Sequence, residues 1–428
     1  MTPSAASRPD VVVVGGGIAG CTTALFLARA GCDVVLYERA TLGSCQSGLN
    51  AGWIRCLGRT PPELALAQRS RQLWADLGRE LALEIVWGGS FVLAADVPAF
   101  ERLARWKERT EHLARGAELL DARELAAALP FLRPVWRGAL TDPADGHTEP
   151  ASAMSAIARA ARASGATLVE HRPVDSILVD ARRVTGVVAA GERLACRTVV
   201  CCAGAWSSRL LGRLGVRLPV QVLRSTLVAS RPAPALTRAE IVAPSGALRQ
   251  RGDGRFVIAS GIRADLDLTL ESLRFLRHFA PALGWGRNRL EVHPGLLLRE
   301  LAGGWDARRR VHGPWPPSAA PNLTSVERAC AAMSELTGVK LDCRPEDAWA
   351  GYVDLTPDGL PVIGAVPEVA GLHLATGLSG HGFGLGPGAG LLASQLVLGV
   401  EPTVDPAPFS FDRLARPPGR DALRDALI

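Results

Sequence analysis

Runs of hydrophobic residues define the first elements of the chain. The four valines Val11–Val14 form a continuous apolar run, which predicts a buried strand. An Ala- and Leu-rich stretch that ends near Gly31 predicts a helix, and an apolar run at residues 34–37 predicts a second buried strand. A glycine-rich segment separates the first strand from the helix, and Glu38 follows the second strand. The pattern therefore predicts a strand, a tight turn, a helix and a strand in that order.

Periodicity predicts most of the later elements. Apolar residues at helical spacing predict helices over residues 63–83 and 97–115, and an N-cap pattern at Asp121 predicts another. Short apolar runs between turns predict strands at residues 85–94 and from 167 to 203, and alternation over 221–262 predicts an antiparallel sheet. The remaining predictions are a loop at 143–150, helices at 151–164, 272–279, 325–336 and 388–398, a strand at 371–377 and a glycine-rich loop at 379–386.

These elements predict an α/β fold with two interleaved domains. A Rossmann-like nucleotide-binding domain is assembled from the discontinuous segments 9–60, 145–215 and 345–400. An inserted α+β domain with an antiparallel sheet, formed by residues 61–144 and 216–344, is expected to bind the substrate. Residues 401–428 form a C-terminal tail.

The glycine-rich segment has the spacing G-x-G-x-x-G, and each glycine has a physical role in binding a dinucleotide. Gly15 makes the tight turn, Gly17 lets a pyrophosphate approach the backbone, and Gly20 lets the helix pack on the strand. Unpaired N–H groups at the helix start, at Ile18 and Ala19, face the phosphates. Glu38 is placed to accept hydrogen bonds from a ribose. The surrounding strands and helix exclude a chance glycine-rich turn.

Composition excludes several classes of protein. The chain has 428 residues, 48% of them hydrophobic and 21% charged, which is typical of a globular protein with two or three domains. Its formal net charge is +6, but basic and acidic residues are interspersed and aromatics are only 5%, so we expect no nucleic-acid partner. Apolar runs stay far below the roughly 20 residues of a membrane span, so we expect none.

Cysteine usage and the N-terminus bear on the cellular compartment. The nine cysteines include no C-x-x-C pair and no Cys/His spacing typical of zinc, so no metal site is predicted. An odd number of cysteines in apolar settings predicts buried free thiols in a reducing compartment. Residues 1–9 lack the charged and then apolar segments of a signal peptide. We therefore expect a cytoplasmic protein.

Four motifs in a fixed order resemble the D-amino acid oxidase and sarcosine oxidase superfamily of FAD-dependent enzymes. The first is the opening unit with Glu38 and Arg39, and the second is the segment 47–55, which resembles the loop that surrounds the flavin in that family. The third is the strand that ends at residues 203–206. The fourth runs from residue 349 through 356–364 to 379–383. The resemblance covers nearly the whole chain.

The resemblance implies FAD as the cofactor. One nucleotide fingerprint is present, so the substrate itself would supply the electrons. The family attaches FAD through a cysteine whose position here is about Gly351, so non-covalent FAD is expected. The implied FAD contacts are Gly15, Gly17, Ile18, Ala19, Gly20, Glu38, Arg39, Ser47, Asn50, Ala51, Gly52, Val174, Ala203, Gly204, Trp206, Gly351, Gly380, His381, Gly382, Phe383 and Gly384.

The same resemblance implies the reaction. In this superfamily an amine or amino acid gives a hydride from the carbon bearing nitrogen to flavin N5, and the resulting imine hydrolyses. Arg55 lies where monomeric sarcosine oxidases have a carboxylate-binding arginine, and a bidentate arginine suits a carboxylate; a flavin-loop ion pair is the alternative. His381 is either a neighbour of the flavin or a structural cap, and Arg249 is a weaker candidate for facing the flavin. Residues 384–389 are interpreted as a helix N-terminus directed at the pyrimidine end of the flavin.

Departures from the family pattern refine the expectation. Residues 351–359 are most similar to the beta subunits of multi-subunit sarcosine oxidases and to the proline, hydroxyproline and opine dehydrogenases. The only lysines are Lys107 and Lys340, so the lysine that activates oxygen, whose strand here is residues 255–259, is missing. This favours a dehydrogenase that passes electrons to a partner protein or quinone over an oxidase that uses oxygen. His147 matches the FMN-linked histidine of some relatives poorly and is interpreted as leading into the following helix.

Other functions share parts of the pattern. A hydroxy-acid or glycerol-phosphate FAD dehydrogenase is related by fold. A non-catalytic flavoprotein subunit would have the same nucleotide site. A flavin monooxygenase shares the first motif but needs external NADPH, and its flavin-ribose segment differs from residues 356–364. The identity and chirality of the substrate, the partner subunits and the oligomeric state stay open.

Overall fold

A computed structural model describes residues 8–133, 135–260, 264–282, 290–303, 319–417 and 419. Parts of the predicted substrate domain and of the C-terminal tail lie outside these residues. The strands are β1 (Val11–Val14), β2 (Val34–Tyr37), β3 (Trp53–Ile54), β4 (Ile85–Val86), β5 (Ser90–Ala94), β6 (Glu118–Asp121), β7 (Gly138–Asp142), β8 (Gly146–Thr148), β9 (Thr167–Val169), β10 (Val174–Asp180), β11 (Arg183–Ala189), β12 (Glu192–Ala195), β13 (Thr198–Cys201), β14 (Gln221–Ser230), β15 (Glu240–Ala243), β16 (Gly246–Gln250), β17 (Phe256–Ala259), β18 (Ala264–Asp267), β19 (Leu290–His293), β20 (Cys343–Leu355), β21 (Val362–Ala365) and β22 (Leu372–Thr376).

The helices lie between these strands along the chain. They are α1 (Ile18–Arg29), α2 (Pro61–Glu80), α3 (Val97–Thr110), α4 (Ala122–Ala128), α5 (Pro150–Ala163), α6 (Ser207–Gly212), α7 (Leu270–Arg274), α8 (Leu276–Phe279), α9 (Gly295–Ala302), α10 (Leu323–Thr337) and α11 (Gly382–Leu398), with single 3₁₀ turns at Gly204–Trp206, Ala280–Ala282, Ala407–Phe409 and Phe411–Ala415.

A six-stranded sheet forms the α/β part. Its strand order is β21-β22-β13-β1-β2-β9, and every neighbouring pair is parallel except β21 with β22. The central strand β1 is fully buried, as its four consecutive valines predict, because α1 and α5 pack on one face and the three-stranded sheet β10-β11-β12 packs on the other. The first strand, turn, helix and second strand predicted from the sequence are therefore confirmed.

The second large sheet is mixed. Its order is β19-β18-β14-β17-β16-β15-β5-β7-β6, and β20 also pairs with β14. Most neighbours are antiparallel, whereas β15 with β5 and β18 with β19 are parallel. Helix α10 packs on one face, against Ile241, Leu248 and Ile258. The opposite face packs against Ala51 and Trp53 of the loop that follows β2, so the two sheets are joined through that loop.

The α/β fold class, with both parallel and antiparallel sheets, is confirmed. The predicted capping box at Asp121 is present: its side chain accepts from the Glu124 N–H and the Glu124 side chain accepts from the Asp121 N–H. The division into two domains with the boundaries given above stays a prediction.

Several local predictions were wrong. The predicted strand 85–94 is two strands, β4 and β5, because Gly89 turns the chain at a φ of +79°. The predicted loop 143–150 contains β8, which pairs with β3 and β4. The predicted helix 272–279 is split into α7 and α8. Helix α11 begins at Gly382, six residues before the predicted start. The many glycines of its first half are typical of a loop in sequence, but in the structure they are buried helical residues.

The prediction that the cysteines are free thiols was wrong for two of the nine. Cys330 of α10 and Cys343 of β20 form a disulfide across 13 residues of sequence. Seven cysteines are free, and most are buried. The pairing arises because α10 packs back on the strand that follows it, a long-range contact that cysteine spacing does not reveal. Among the described residues, no helix is long and apolar enough to cross a membrane.

Candidate active site

A large cavity lies at the carboxyl ends of four strands of the six-stranded sheet. Its empty volume is about 1540 Å³, with open solvent at its mouth included, and Val14, Tyr37, Cys202 and Thr376 line it at the ends of β1, β2, β13 and β22. In open α/β sheets, ligands bind at this edge. The cavity reaches the second sheet, because Leu227 and Ala259 also line it.

The glycine turn closes one end of this cavity. Gly15 has a φ of +107°, and a Cβ there would lie 2.5 Å from the carbonyl oxygen of Cys202. A Cβ on Gly17 would lie 3.0 Å from the hydroxyl of Ser47, and one on Gly20 only 1.9 Å from the carbonyl oxygen of Gly15. Close approach of backbone therefore requires glycine at positions 15 and 20, whereas at position 17 the near neighbour is a side chain. Gly15 and Gly17 line the cavity, whereas Gly20 packs α1 onto β1.

Glu38 holds the turn from the end of β2. Its carboxylate accepts hydrogen bonds from the backbone N–H groups of Gly16 (2.7 Å) and Ala40 (2.8 Å), and its side chain lines the cavity. The hydroxyl of Ser47 accepts from the N–H of Ile18 at 2.8 Å, at the start of α1. The N–H of Ile18, which was expected to be unpaired, is therefore occupied by Ser47. Ile18 and Ala19 still line the cavity at the start of α1, where the helix dipole favours negative charge.

The loop after β2 is held by side-chain amides. Asn50 donates to the carbonyl of Ser47 (2.6 Å) and accepts from the N–H of Gly52 (2.7 Å). Gln46 donates to Asp354 of β20 at 2.9 Å and accepts from the N–H of Ala205. The loop, β20 and the turn after β13 are therefore locked together around the cavity.

Gln46 and Asp354 are site residues that the sequence analysis missed. They are 308 positions apart, and both line the cavity. Asp354 also accepts from the N–H of Gly377 at 2.8 Å. No local pattern signals such a pair. Other lining residues that were not predicted are Val14, Tyr37, Thr41, Gly43, Ser44, Cys45, Leu49, Trp53, Cys202, Leu210, Ser225, Leu227, Ala259, Tyr352, Val353, Ala375, Thr376 and Leu378.

Most of the predicted cofactor contacts do line the cavity. These are Gly15, Gly17, Ile18, Ala19, Glu38, Arg39, Ser47, Asn50, Ala51, Val174, Ala203, Gly204, Trp206, Gly351, Gly380, Gly382 and Phe383. Four do not: Gly20, Gly52, His381 and Gly384. Gly52 and Gly384 lie against backbone, since a Cβ would be 2.0 Å from the carbonyl oxygen of Thr148 and 2.9 Å from that of Trp53, respectively.

Residues 10–396 match the DAO family, whose description is FAD dependent oxidoreductase. The chain belongs to this family. It is 29% identical to the glycine oxidase of Geobacillus kaustophilus over 95% of this chain and 97% of that protein. It is 27% identical to human mitochondrial sarcosine dehydrogenase over 93% of this chain and 40% of that protein.

A solved structure gives a close match in three dimensions. The L-amino acid deaminase from Proteus myxofaciens, in complex with anthranilate, has a TM-score of 0.86 and 25% identity, and the match covers 95% of this chain and 94% of that one. The superfamily predicted from the sequence motifs is therefore confirmed, and the protein is an FAD-dependent amine or amino acid oxidoreductase.

The cavity suits the FAD of a DAO-family enzyme. The glycine turn leaves room that a Cβ would fill, as a pyrophosphate site requires. The guanidinium of Arg39 lies 4.3 Å from the ring centre of Trp206, and its buried Nη1 has no hydrogen-bond partner in the described part of the chain. An acceptor group of a bound nucleotide would satisfy that atom. The N-terminus of α11, with Gly382 and Phe383, lines another part of the cavity.

Arg55 follows β3 and is buried beside the cavity. Its side chain is 8% exposed, and its guanidinium lies 5.6 Å from the ring centre of Trp53, which lines the cavity. The buried Nε and Nη1 have no hydrogen-bond partner among the described residues. Burial and the charge of Arg59 lower the pKa of Arg55 to about 10, so the guanidinium is still charged at neutral pH. Arg55 itself does not line the cavity.

His381 precedes α11 and pairs with a buried acid. Its Nδ1 lies 2.5 Å from Oε1 of Glu63, which is in the first turn of α2 and is fully buried. Burial raises the pKa of Glu63, but His381 and Arg59 lower it further, so it lies below its ordinary value. Burial and Arg59 lower the pKa of His381. We therefore assign a Glu63 carboxylate that accepts from neutral His381, which joins α11 to α2.

Arg249 is buried against the segment 47–55 and holds its backbone. It is 2% exposed, its Nε donates to the carbonyl of Ala51, and its Nη1 forms an ion pair with Glu149 at 2.9 Å. The arginine does not line the cavity. His147 is in β8 opposite Trp53, three residues before α5 begins at Pro150.

Asp145 fixes the backbone that follows Arg55. It is fully buried and accepts from the N–H groups of Cys56 (2.8 Å) and Leu57 (3.2 Å) and from the hydroxyl of Ser90 (2.7 Å). Arg71 bridges it to Asp142, each at 2.8 Å. Burial and Asp142 raise the pKa of Asp145. These contacts hold the turn that carries Arg55.

Proposed function

We propose that this DAO-family protein oxidises the C–N bond of a small amine, amino acid or imino acid, with Arg55 holding the substrate carboxylate. This proposal rests on a single observation. The guanidinium of Arg55 is buried next to Trp53 at the cavity wall, and its Nε and Nη1 have no hydrogen-bond partner among the described residues. A buried charged group without partners is costly. A substrate carboxylate beside this guanidinium would accept a charge-assisted hydrogen bond from Nε or from Nη1 and would neutralise the buried charge.

The names of the relatives support the same class of substrate. Glycine oxidase, sarcosine dehydrogenase and L-amino acid deaminase are named for compounds that carry both an amine nitrogen and a carboxylate. A site that anchors the carboxylate leaves the carbon bearing nitrogen free to be positioned for reaction.

Each group of the site has a task in this proposal. FAD, when bound, accepts the hydride from the carbon bearing nitrogen. Arg55 orients the substrate, and the apolar side chains of Leu227 and Ala259 keep water from the reacting carbon. The N-terminus of α11 favours negative charge where it faces the cavity. The imine product then reacts with water to give a carbonyl compound and the free amine or ammonia.

The first experiment is anaerobic mixing of the holoenzyme with paired compounds, each amino acid beside its decarboxylated amine, while the visible flavin absorbance is followed. We expect the amino acids to bleach the flavin. In Arg55→Met the KM for amino acids should rise on the order of 10²-fold, because a charge-assisted pair is lost. The rate with the decarboxylated amines should change little. Arg79→Met, at an exposed position, is the control.

The outcomes separate the alternatives. Bleaching by hydroxy acids or glycerol phosphate, and by no amine, would replace the proposal with a hydroxy-acid dehydrogenase. Bleaching by none of these compounds would indicate a non-catalytic flavoprotein subunit. Equal losses for amino acids and decarboxylated amines in Arg55→Met would remove the carboxylate role from Arg55.

A further inference from the structure

Several buried polar atoms around β3 have no hydrogen-bond partner within the described ranges. They belong to Arg55 (Nε, Nη1) and Glu240 (both carboxyl oxygens), and to three neighbours, Trp53 (Nε1), Glu63 (Oε2) and His147 (Nδ1). Glu240 is the extreme case, because it is 0% exposed and both of its carboxyl oxygens lack a partner. Buried polar groups are almost always paired in folded proteins, so such a concentration needs an explanation.

The strand register places Glu240 on the same face of the mixed sheet as Leu227 and Ala259 of the cavity wall, although Glu240 itself is not one of the lining residues. Glu240 lies beside Ser90 of β5 and opposite Arg249 of β16, as the neighbouring pair of Ile241 with Leu248 requires. The side chains of Ile241 and Leu248 point to the other face, under α10. The next row of side chains on this face, two residues further along the strands, includes Ala247, Ala259 and Leu227. Of these, Ala259 and Leu227 line the cavity.

None of the neighbours pairs with Glu240. Arg249 is occupied by the carbonyl of Ala51 and by Glu149, and the hydroxyl of Ser90 donates to Asp145. Arg55 is close enough to influence Glu240 electrostatically, yet no ion pair within 4.0 Å joins them in the described part of the chain. Glu240 and Arg55 therefore lie near each other, and the polar atoms named above have no hydrogen-bond partner among the described residues.

The ionisation of Glu240 follows from its surroundings. Burial and the charge of Asp145 raise its pKa well above the ordinary value, although Arg55, Arg249 and Arg59 oppose that rise. The raised pKa favours the neutral carboxyl group, which has one O–H to donate and one oxygen to accept. Its natural complement is a group that accepts and donates at once.

We propose that Glu240 determines substrate specificity by binding a second polar group of the substrate, an uncharged amide or hydroxyl at the end of its side chain, while Arg55 binds the carboxylate. This inference rests on the proposed function for the role of Arg55. An amide fills both the donor and the acceptor of Glu240. A cationic side chain would face the guanidinium groups of Arg55, Arg59 and Arg249, and an apolar one would leave the carboxyl group buried without a partner.

The test uses equilibrium binding to the holoenzyme, so it does not depend on turnover. Glutaramate carries a carboxylate and an amide, and 5-methylhexanoate has the same shape with methyl groups in place of the amide. By titration calorimetry we expect glutaramate to bind at least about tenfold more tightly, because a site built for hydrogen bonds rejects an analogue that lacks them. Glu240→Leu should remove or invert that ratio.

Two variants keep the test decisive. Glu240→Gln keeps a donor and an acceptor in the same volume, so it should retain most of the preference if Glu240→Leu fails to fold or to hold FAD. Glu118→Leu, at an exposed position of the same sheet, should leave the ratio unchanged. An unchanged ratio in a folded Glu240→Leu protein, or equal affinities in the wild type, would overturn the inference.

Turnover distinguishes this inference from the function on which it rests. With a reactive enzyme, glutamine should reduce the flavin with a higher kcat/KM than methionine, glutamate or lysine. If the glutaramate preference holds while no amine bleaches the flavin, the proposed chemistry fails and the polar subsite stands. If amines bleach the flavin but glutamine has no advantage and Glu240→Leu changes nothing, the chemistry stands and the subsite fails.

Discussion

At the residue scale, the side chains around β3 show how burial controls charge. His147 is 1% exposed, and its Nε2 lies 3.3 Å from the carbonyl oxygen of Arg238, so the neutral tautomer donates from Nε2. Burial and the nearby Arg249 lower its pKa to about 4. The pKa of a histidine in an unfolded chain is about 6.5. At pH values between about 4 and 6.5, the unfolded chain therefore binds a proton at this histidine and the native protein does not.

His147 should therefore make the protein acid-sensitive. Its contribution to the free energy of unfolding is present above pH 6.5 and is lost as the pH falls toward 4. Between pH 7 and pH 5 the expected loss from this residue is about 2 kcal/mol. Urea unfolding of the wild type and of His147→Gln at both pH values measures it, because glutamine cannot bind the proton. Equal losses in the two proteins would contradict the assigned shift.

At the element scale, the glycine-rich helix α11 packs closely on α1 under the cavity. Helices α1 and α11 cross where a Cβ on Gly386 would lie 2.2 Å from Ile18, and one on Gly390 would lie 2.1 Å from the hydroxyl of Thr22 and 2.7 Å from the backbone of Thr23. Thr22 donates to the carbonyl of Gly386 at 3.0 Å across this contact. The close approach fixes the N-terminus of α11 relative to the glycine turn, so packing here positions both helix ends that face the cavity.

Gly390→Ala tests this contact. The added methyl group meets backbone as well as a side chain, so the helices must separate, and we expect a loss of about 1–3 kcal/mol in the free energy of unfolding, together with weaker FAD binding. Gly212→Ala is the matched control: it is also at a helical position, but its Cβ would meet nothing within 4 Å. That variant should be neutral or slightly more stable. Chemical unfolding and flavin titration of the apoprotein measure both effects, and equal behaviour of the two variants would refute the packing argument.

At the scale of the whole molecule, the sequence predicts the parts that local patterns encode. The valines of β1, the glycine spacing and Glu38 lie within 30 residues of one another, so their joint role can be deduced from the chain alone. The motif order identifies the superfamily, and with it the position of α11 at the cavity, even though the predicted start of that helix was late.

Contacts between distant segments could not be predicted in this way. Gln46 donates a hydrogen bond to Asp354, and Cys330 forms a disulfide with Cys343. Glu240 lies near Arg55 because the two sheets pack through the loop after β2. Each of these residues is unremarkable in its local sequence.

The distribution of charge over the whole molecule predicts how the reduced flavin is reoxidised. The chain has two lysines, Lys107 and Lys340, and neither lines the described cavity. Among its lining residues, Arg39 carries the one fixed positive charge, and it lies against Trp206. Oxygen reduction generates negative charge, which a nearby cation stabilises. We therefore predict slow reaction with oxygen and fast reaction with a dye or quinone, the behaviour of a dehydrogenase that passes electrons to a partner.

Stopped-flow mixing of substrate-reduced enzyme with air-saturated buffer or with an acceptor dye measures the two rates. Ala259 lines the cavity at the end of β17, so Ala259→Lys should place an ammonium group there and raise the oxygen rate by on the order of tenfold or more. Ala259→Met, with similar length and no charge, should not. If the wild type reacts with oxygen as fast as with the dye, or if methionine accelerates the reaction as much as lysine, then access rather than charge controls reoxidation, and the enzyme functions as an oxidase.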